Sequence, residues 1–143
     1  FHHLKLEMQK AGWYVFRTPL VNYKPRSGRI PLPEHGPKRQ YELILYAIKG
    51  RKPVTAVYSD VISTVLEENL THGAQKPVEL YVDLLRRSVK PGDAVLDAFA
   101  GTGTIFPAAH QLKCRATGIE QSLEYYGIAV QRLNSVDEAP ALI

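Results

Sequence analysis

In "LDAFAGTGT" (residues 96–104) one carboxylate, Asp97, precedes two glycines spaced G-x-G, Gly101 and Gly103. Glycine lets a backbone turn tightly and lets a ligand approach it closely. A helix that starts after such a turn offers free N–H groups and a partial positive charge. Glu120 follows Asp97 by 23 residues. An acid at the end of the next strand can accept both hydroxyls of a ribose. Upstream, Lys76 and Pro77 open a helical pattern. A lysine at a helix start suits a carboxylate.

These residues describe a nucleoside site with a polar or charged group beside the glycine turn. A dinucleotide fingerprint is excluded, because the third glycine position of G-x-G-x-x-G is taken by Phe106. No basic group lies inside the turn to meet a pyrophosphate, and Asp97 would repel phosphate but could face an ammonium. A ligand with a ribose and a cationic amino-acid end fits this set, and S-adenosylmethionine is such a ligand. The plainer alternatives are a structural βα turn with an incidental acid, and a solvated lysine beside a proline in the first helical turn.

The elements that must position these residues follow from periodicity and turn chemistry. Residues 1–11 carry Phe1, Leu4 and Met8 at helical spacing, with Gly12 as the stop. Residues 13–23 read as a strand whose second half Pro19 weakens. Residues 24–40, with four prolines, read as a loop. Residues 41–50 and 53–59 read as strands joined in a hairpin, and 60–75 as irregular. A helix is expected over 76–89, with Val78, Tyr81, Val82, Leu85 and Val89 on one face. A turn (90–93), a strand (94–99), a helix (104–112), a strand (115–120) and a helix capped by Ser122 (122–133) complete the pattern. Strand, glycine turn, helix and strand in that order make a βαβ unit, the building block of a doubly wound, mostly parallel sheet.

The stretch from "HGAQKP" (72–77) through "LDAFAGTGT" to "GIE" (118–120) and "VQRL" (130–133) resembles the C-terminal part of β-class amino-group DNA methyltransferases. The resemblance implies a Rossmann-like fold and methyl transfer from S-adenosylmethionine to adenine N6 or cytosine N4 of double-stranded DNA. It implies cofactor roles for His72, Gln75, Lys76 and Pro77 near the methionine end of the cofactor. It implies the same for Asp97, Phe99, Gly101, Thr102, Gly103 and Thr104 in the glycine turn, and for Glu120 on the ribose. Ala98 stands where the family usually has proline, and Thr102 where it has serine. Residues 1–60 are similar more loosely, through "AGW", "YK" and "YELILYAIKG". The family's catalytic Pro-Pro-aromatic segment is missing, since the chain holds no Pro-Pro pair. That segment comes before the cofactor motifs in this class, so it is expected upstream of Phe1. The chain is then one partial methyltransferase domain over 1–143, with no catalytic residue of its own. It is expected to be inactive alone, with an upstream segment or second chain completing its sheet.

Composition sets the outer bounds. A 143-residue chain, 45% hydrophobic and 22% charged, reads as one ordinary globular domain. No apolar run approaches a membrane span, and no signal-peptide pattern opens the chain. The single cysteine, Cys114, fits a reducing, cytoplasmic setting. The net charge of +4 is compatible with a polyanion. Lys24, Arg26, Arg29, Lys38 and Arg39 in the loop are candidate phosphate contacts, with Arg51, Lys52, Arg86 and Arg87 as additions. A solvated basic loop is the alternative. The histidines show no metal spacing, so no metal is expected. Trp13 and Tyr14 are expected in the core, and Cys114 as a buried small residue. Two other functions stay open: a methyltransferase of RNA, protein or small molecules, and a non-catalytic remnant that binds nucleic acid.

Overall fold

A computed structural model describes residues 2–25, 34–51, 53–64 and 75–137. The chain divides into two compact units, Phe1–Leu66 and Glu67–Ile143.

The first unit opens with helix α1 (His2–Lys10). It ends in a Schellman arrangement: Gly12, at φ +82°, donates to the Gln9 carbonyl, and Trp13 donates to the Met8 carbonyl. Strands β1 (Tyr14–Val15) and β2 (Leu20–Tyr23) follow. Pro19, which has no N–H to donate, falls in the break between them. It therefore precedes the longer strand rather than weakening it. The run 41–50 is likewise split, into β3 (Tyr41–Ile44) and β4 (Ala47–Ile48). β2 pairs antiparallel with β3, from Tyr23 opposite Tyr41 to Leu20 opposite Ile44, and β1 pairs with β4. The base of the 24–40 loop is tied by Lys24 N–H to the Gln40 carbonyl and by Gln40 Nε2 to the Pro25 carbonyl.

The expected hairpin between 41–50 and 53–59 does not form. Residues 53–59 contain no strand among the described residues, and Val57 is 98% exposed. The partner of the 41–50 run is the 13–23 run, across the long basic loop. Loop closure cost grows only logarithmically with length, so better side-chain matching outweighs a shorter turn. The third strand of the sheet is β5 (Val61–Ser63), in the stretch read as irregular, and it runs parallel to β2. Leu20 and Asn22 face inward; Thr64 just beyond β5 donates to Asn22 Oδ1 at 2.7 Å. Trp13 and Tyr14 are not core residues: Tyr14 is 64% exposed, and Lys49 lies 5.6 Å from the centre of the Trp13 ring. On a two-residue strand only one side chain can point inward, and it is Val15.

The second unit contains α2 (Val78–Leu85), β6 (Ala94–Asp97), α3 (Ile105–Gln111), β7 (Arg115–Gly118) and α4 (Leu123–Asp137). β6 and β7 are parallel, with Asp97 opposite Gly118, and α3 connects them. This is the expected βαβ unit. α3 packs against α2, β7 and α4. Its inward residues Ile105, Ala108 and Ala109 are buried. Of α2, Leu80 is buried, off the expected stripe of Val78, Tyr81, Val82, Leu85 and Val89, which is only partly covered. Arg87 is 6% exposed and grips Asp83 through Nη2 and the Asp83 carbonyl through Nε. Arg86 also pairs with Asp83. Both cations, just past the end of α2, are thus paired with the same carboxylate.

Phe106, which rules out a dinucleotide turn, has a packing role here. A side chain at Gly103 would come within 2.9 Å of the Phe106 ring and of the Ala129 backbone in α4. One at Gly118 would come within 3.0 Å of the Phe106 ring and 2.9 Å of Ala100. The two glycines make the room in which the aromatic ring closes the turn against β7 and α4.

Candidate cofactor site

The glycine turn is built by its neighbours. Past the end of β6 the ladder continues: Ile119 donates to the Asp97 carbonyl and Ala100 donates to the Ile119 carbonyl. Asp97 Oδ1 accepts the Phe99 N–H at 3.0 Å and so shapes the first step of the turn. Gly101 takes φ +53° with open space where a Cβ would stand, which keeps its backbone approachable.

Glu120 clamps the two strand ends. Its Oε2 accepts the Gly101 N–H and its Oε1 accepts the Ser122 N–H, each at 2.8 Å. The Ser122 bond is the largest influence holding the carboxyl below its ordinary value; partial desolvation opposes it, and the Gly101 and Gln121 amides reinforce it. Ser122 then caps α4 as expected, with its Oγ accepting from Tyr125 N–H at 3.5 Å.

Two threonines tie the turn to the segment before α2. Thr102 Oγ1 donates to Gln75 Oε1 at 3.1 Å, in a buried setting. Thr104 Oγ1 donates to the Lys76 carbonyl at 3.2 Å and accepts from Arg132 Nη1 of α4 at 3.0 Å. Pro77, fully buried, stands at the N-cap of α2 in extended conformation.

A cleft of about 290 Å³ opens between these parts, near the lower end of small-molecule sites. Of the residues expected from sequence, it is lined by Gln75, Lys76, Phe99, Gly101, Thr102, Thr104 and Glu120. Pro77, Asp97 and Gly103 are not among the lining residues. His72 lies outside the described residues, as do Arg26, Arg29 and Lys52. Phe99 is 90% exposed at the rim. Sequence reasoning missed Tyr81 and Tyr125, which also line the cleft. Tyr81 stands one helical turn after Pro77, and Tyr125 is the third residue of the helix that follows Glu120; those spacings were the available signal. Burial first, and then the Asp97 charge and a side-chain hydrogen bond with it, push the Tyr81 hydroxyl up to about 12. Even so, Asp97 Oδ2 is buried and receives no hydrogen bond of good geometry among the described residues.

In the first unit, Lys38 and Arg39 are exposed, whereas Lys24 is engaged by Glu42 at 2.9 Å. Cys114 is half-buried rather than buried, its Sγ donating to the Lys90 carbonyl.

A parallel strand pair, a glycine turn, and an acid past the end of the second strand are the arrangement that α/β nucleoside sites share. The DNA methylase family of N6/N4 type matches residues 7–131, and the chain belongs to it. Over 94% of its length the chain is 34% identical to the type II methyltransferase M.Cfr9I of Citrobacter freundii, of which it spans 49%. The crystal structure of the M1.HpyAVI–SAM complex superposes with a TM-score of 0.79 at 22% identity, over 92% of this chain and 68% of that one. The putative DNA modification methylase TTHA0409 of Thermus thermophilus, solved with S-adenosyl-L-methionine, gives 0.71 at 26% identity, over 97% and 60%. The fold is therefore the Rossmann-like methyltransferase fold expected from sequence.

The Glu120 clamp sets a pH response. Its folded pKa lies below the ordinary 4.5, so its contribution to stability is complete above about 4.5 and is lost as pH falls through the lower folded value. In an NMR titration the Gly101 and Ser122 amides should shift together, with a midpoint below 4.5. A midpoint at or above that value would mean that the clamp does not hold in solution.

Proposed function

We propose that this chain is the cofactor-binding part of a site-specific DNA methyltransferase that transfers a methyl group from S-adenosylmethionine to adenine N6 or cytosine N4. The single observation that carries the reading is the convergence of Gln75, Lys76, Gly101 and Glu120 on one cleft. S-adenosylmethionine, when bound, supplies an electrophilic methyl group on a sulfonium. The residues fit that ligand. Glu120 keeps acceptor capacity for the ribose hydroxyls, since an ionised carboxylate has about four lone-pair sites and two are used by backbone amides. Lys76 and the start of α2 offer positive potential to the methionine carboxylate. Asp97 supplies negative charge on the side of the amino group. Phe99 presents an apolar face at the rim. His72, Pro77, Thr102, Gly103 and Thr104 are assigned to the same site, the two threonines by holding the turn against residues 75–77.

The attacking amino nitrogen is a weak nucleophile, so positioning supplies most of the rate. None of the 143 residues is assigned that task. We assign it to a Pro-Pro-aromatic segment outside this chain, on an upstream segment or a second chain. The support is the free side of β6: among the described residues it pairs only with β7. Such a strand edge is a pairing site that native proteins cover. The whole chain is accordingly one partial methyltransferase domain. Double-stranded DNA is the assigned partner, with phosphate contacts from Lys38 and Arg39 and, with them, Arg26 and Arg29. Lys24 contributes less, because Glu42 already balances it. The setting is cytoplasmic, which the lone cysteine supports.

Three measurements test this reading. In calorimetry with the full protein, Glu120→Ala should weaken S-adenosylmethionine binding about tenfold or more; unchanged affinity removes the ribose assignment. Neutralising Lys38 and Arg39 together should lower the log–log salt slope of DNA binding by about two units. A slope equal to that of the unmodified protein leaves the loop merely solvated. The 143-residue chain alone should transfer no methyl group to DNA, whereas the chain joined to its upstream segment should. Transfer by the chain alone would place the catalytic group within it.

A further inference from the structure

Threonine is a favoured N-cap because its hydroxyl can accept a backbone N–H of the first helical turn. Thr104 stands at the N-cap of α3 and makes no such bond. The donors are not there to be capped: the Phe106 N–H goes to the Gly103 carbonyl, and Pro107 has no N–H. The hydroxyl, on a residue only 4% exposed, is spent on two other groups. It accepts from Arg132 Nη1 at 3.0 Å and donates to the Lys76 carbonyl at 3.2 Å. Arg132 lies three residues beyond Ala129, the residue of α4 that faces Gly103, so one face of α4 meets the chain at both Gly103 and Thr104. Arg132 itself is not among the residues that line the cleft.

We propose that Arg132 is a positioning residue for the amino-acid end of the cofactor: through the Thr104 hydroxyl it fixes the Lys76 peptide, and with it the lysine and the start of α2 that meet the ligand's carboxylate. The inference rests on the reading of this cleft as the S-adenosylmethionine site. Arg132 sets the direction of the chain of hydrogen bonds. A guanidinium only donates, so it takes the acceptor side of the hydroxyl and leaves the one proton for the Lys76 carbonyl. Accepting from a cation also makes the hydroxyl a stronger donor, because linked hydrogen bonds polarise one another. The carbonyl it holds is the last before Pro77, which stands buried at the N-cap of α2 with φ −61° and ψ 147°. A residue before proline is already restricted to extended backbone. Holding its carbonyl narrows the freedom that is left, and with it the direction in which the Lys76 side chain leaves the backbone. Thr102, two residues earlier, holds the side chain of Gln75 by a bond of the same kind. Without Arg132 the Thr104 hydroxyl can rotate, and the Lys76 carbonyl loses a directed donor.

The test compares two ligands by calorimetry in the full protein. They are S-adenosylmethionine and decarboxylated S-adenosylmethionine, which keeps the nucleoside, the sulfonium and the amino group. Arg132→Met keeps the length of the side chain and removes its donors. Thr104→Val keeps the shape and removes the hydroxyl, whereas Thr104→Ser keeps the hydroxyl. Arg132→Met and Thr104→Val should each weaken S-adenosylmethionine binding about tenfold and leave the decarboxylated ligand unaffected, so that discrimination for the carboxylate is lost. Combined, they should cost no more than either alone, because both break one chain of bonds. Thr104→Ser should bind both ligands as the unmodified protein does. If Arg132→Met and Thr104→Val weaken both ligands equally, or neither, Arg132 is an anchor of α4 alone and the proposal fails. Additive costs would mean that the two residues act separately, which also overturns it. Should Arg132→Met not fold, Thr104→Val against Thr104→Ser decides: equal affinity of these two for S-adenosylmethionine overturns the proposal. Unmodified protein that does not bind S-adenosylmethionine overturns the cofactor reading, and this inference with it. Unmodified protein that binds it with no preference over the decarboxylated ligand leaves that reading standing and overturns this inference alone.

Discussion

One carboxylate, accepting two backbone amides, holds the site together. Glu120 joins the turn that leaves β6 to the start of the helix that leaves β7. Hydrogen bonds to an ionised acceptor are about twice as strong as neutral ones, and these two fix the exits of adjacent parallel strands. The clamp also explains the conformation of Gly101. An amide that must point at Glu120 while the chain reverses takes a positive φ, where glycine carries no Cβ penalty. Structure and recognition are thereby linked, because the acid that would receive a ribose is oriented before any ligand arrives.

Around the clamp, small residues decide distances. Gly103 and Gly118 admit the Phe106 ring beneath the turn, and Gly103 also admits the backbone of α4 at Ala129. From the other side, Thr102 and Thr104 reach back to Gln75 and Lys76. Arg132 joins α4 to the same hydroxyl of Thr104. The 75–77 segment, the turn and α4 are therefore joined by side-chain hydrogen bonds, which fixes the spacing of the elements around the cleft.

Much of this half was legible in the sequence, for a physical reason. Its contacts are local: strand, turn, helix and strand follow one another, and glycines, an acid and a cap mark each junction. The region before residue 66 was less legible. The pairing of 13–23 with 41–50 crosses a long loop, and nothing local announces it, whereas 53–59 forms no strand with any of the described residues. Val61–Ser63 is too short to signal a strand, and it forms one because β2 offers an edge. Tyr81 shows a subtler limit. By spacing it belongs to an apolar face, and only its place in the cleft lining separates it from a core tyrosine. Arg87 shows the converse, a cation that sequence counts as available and that Asp83 has already taken.

Every described residue that lines the cleft comes from the second unit, between residues 75 and 125. A cofactor half built from near-neighbour contacts can form with little dependence on distant chain. Methyl transfer needs more, because a weak nucleophile must be held in line with the methyl group, and an error of about 1 Å can cost two orders of magnitude in rate. A strand added beside β6 would end next to the glycine turn, at the same height as Asp97. Among the described residues that side of β6 is unpaired, so a group carried on an added strand would be fixed beside the turn by backbone hydrogen bonds rather than by a loop.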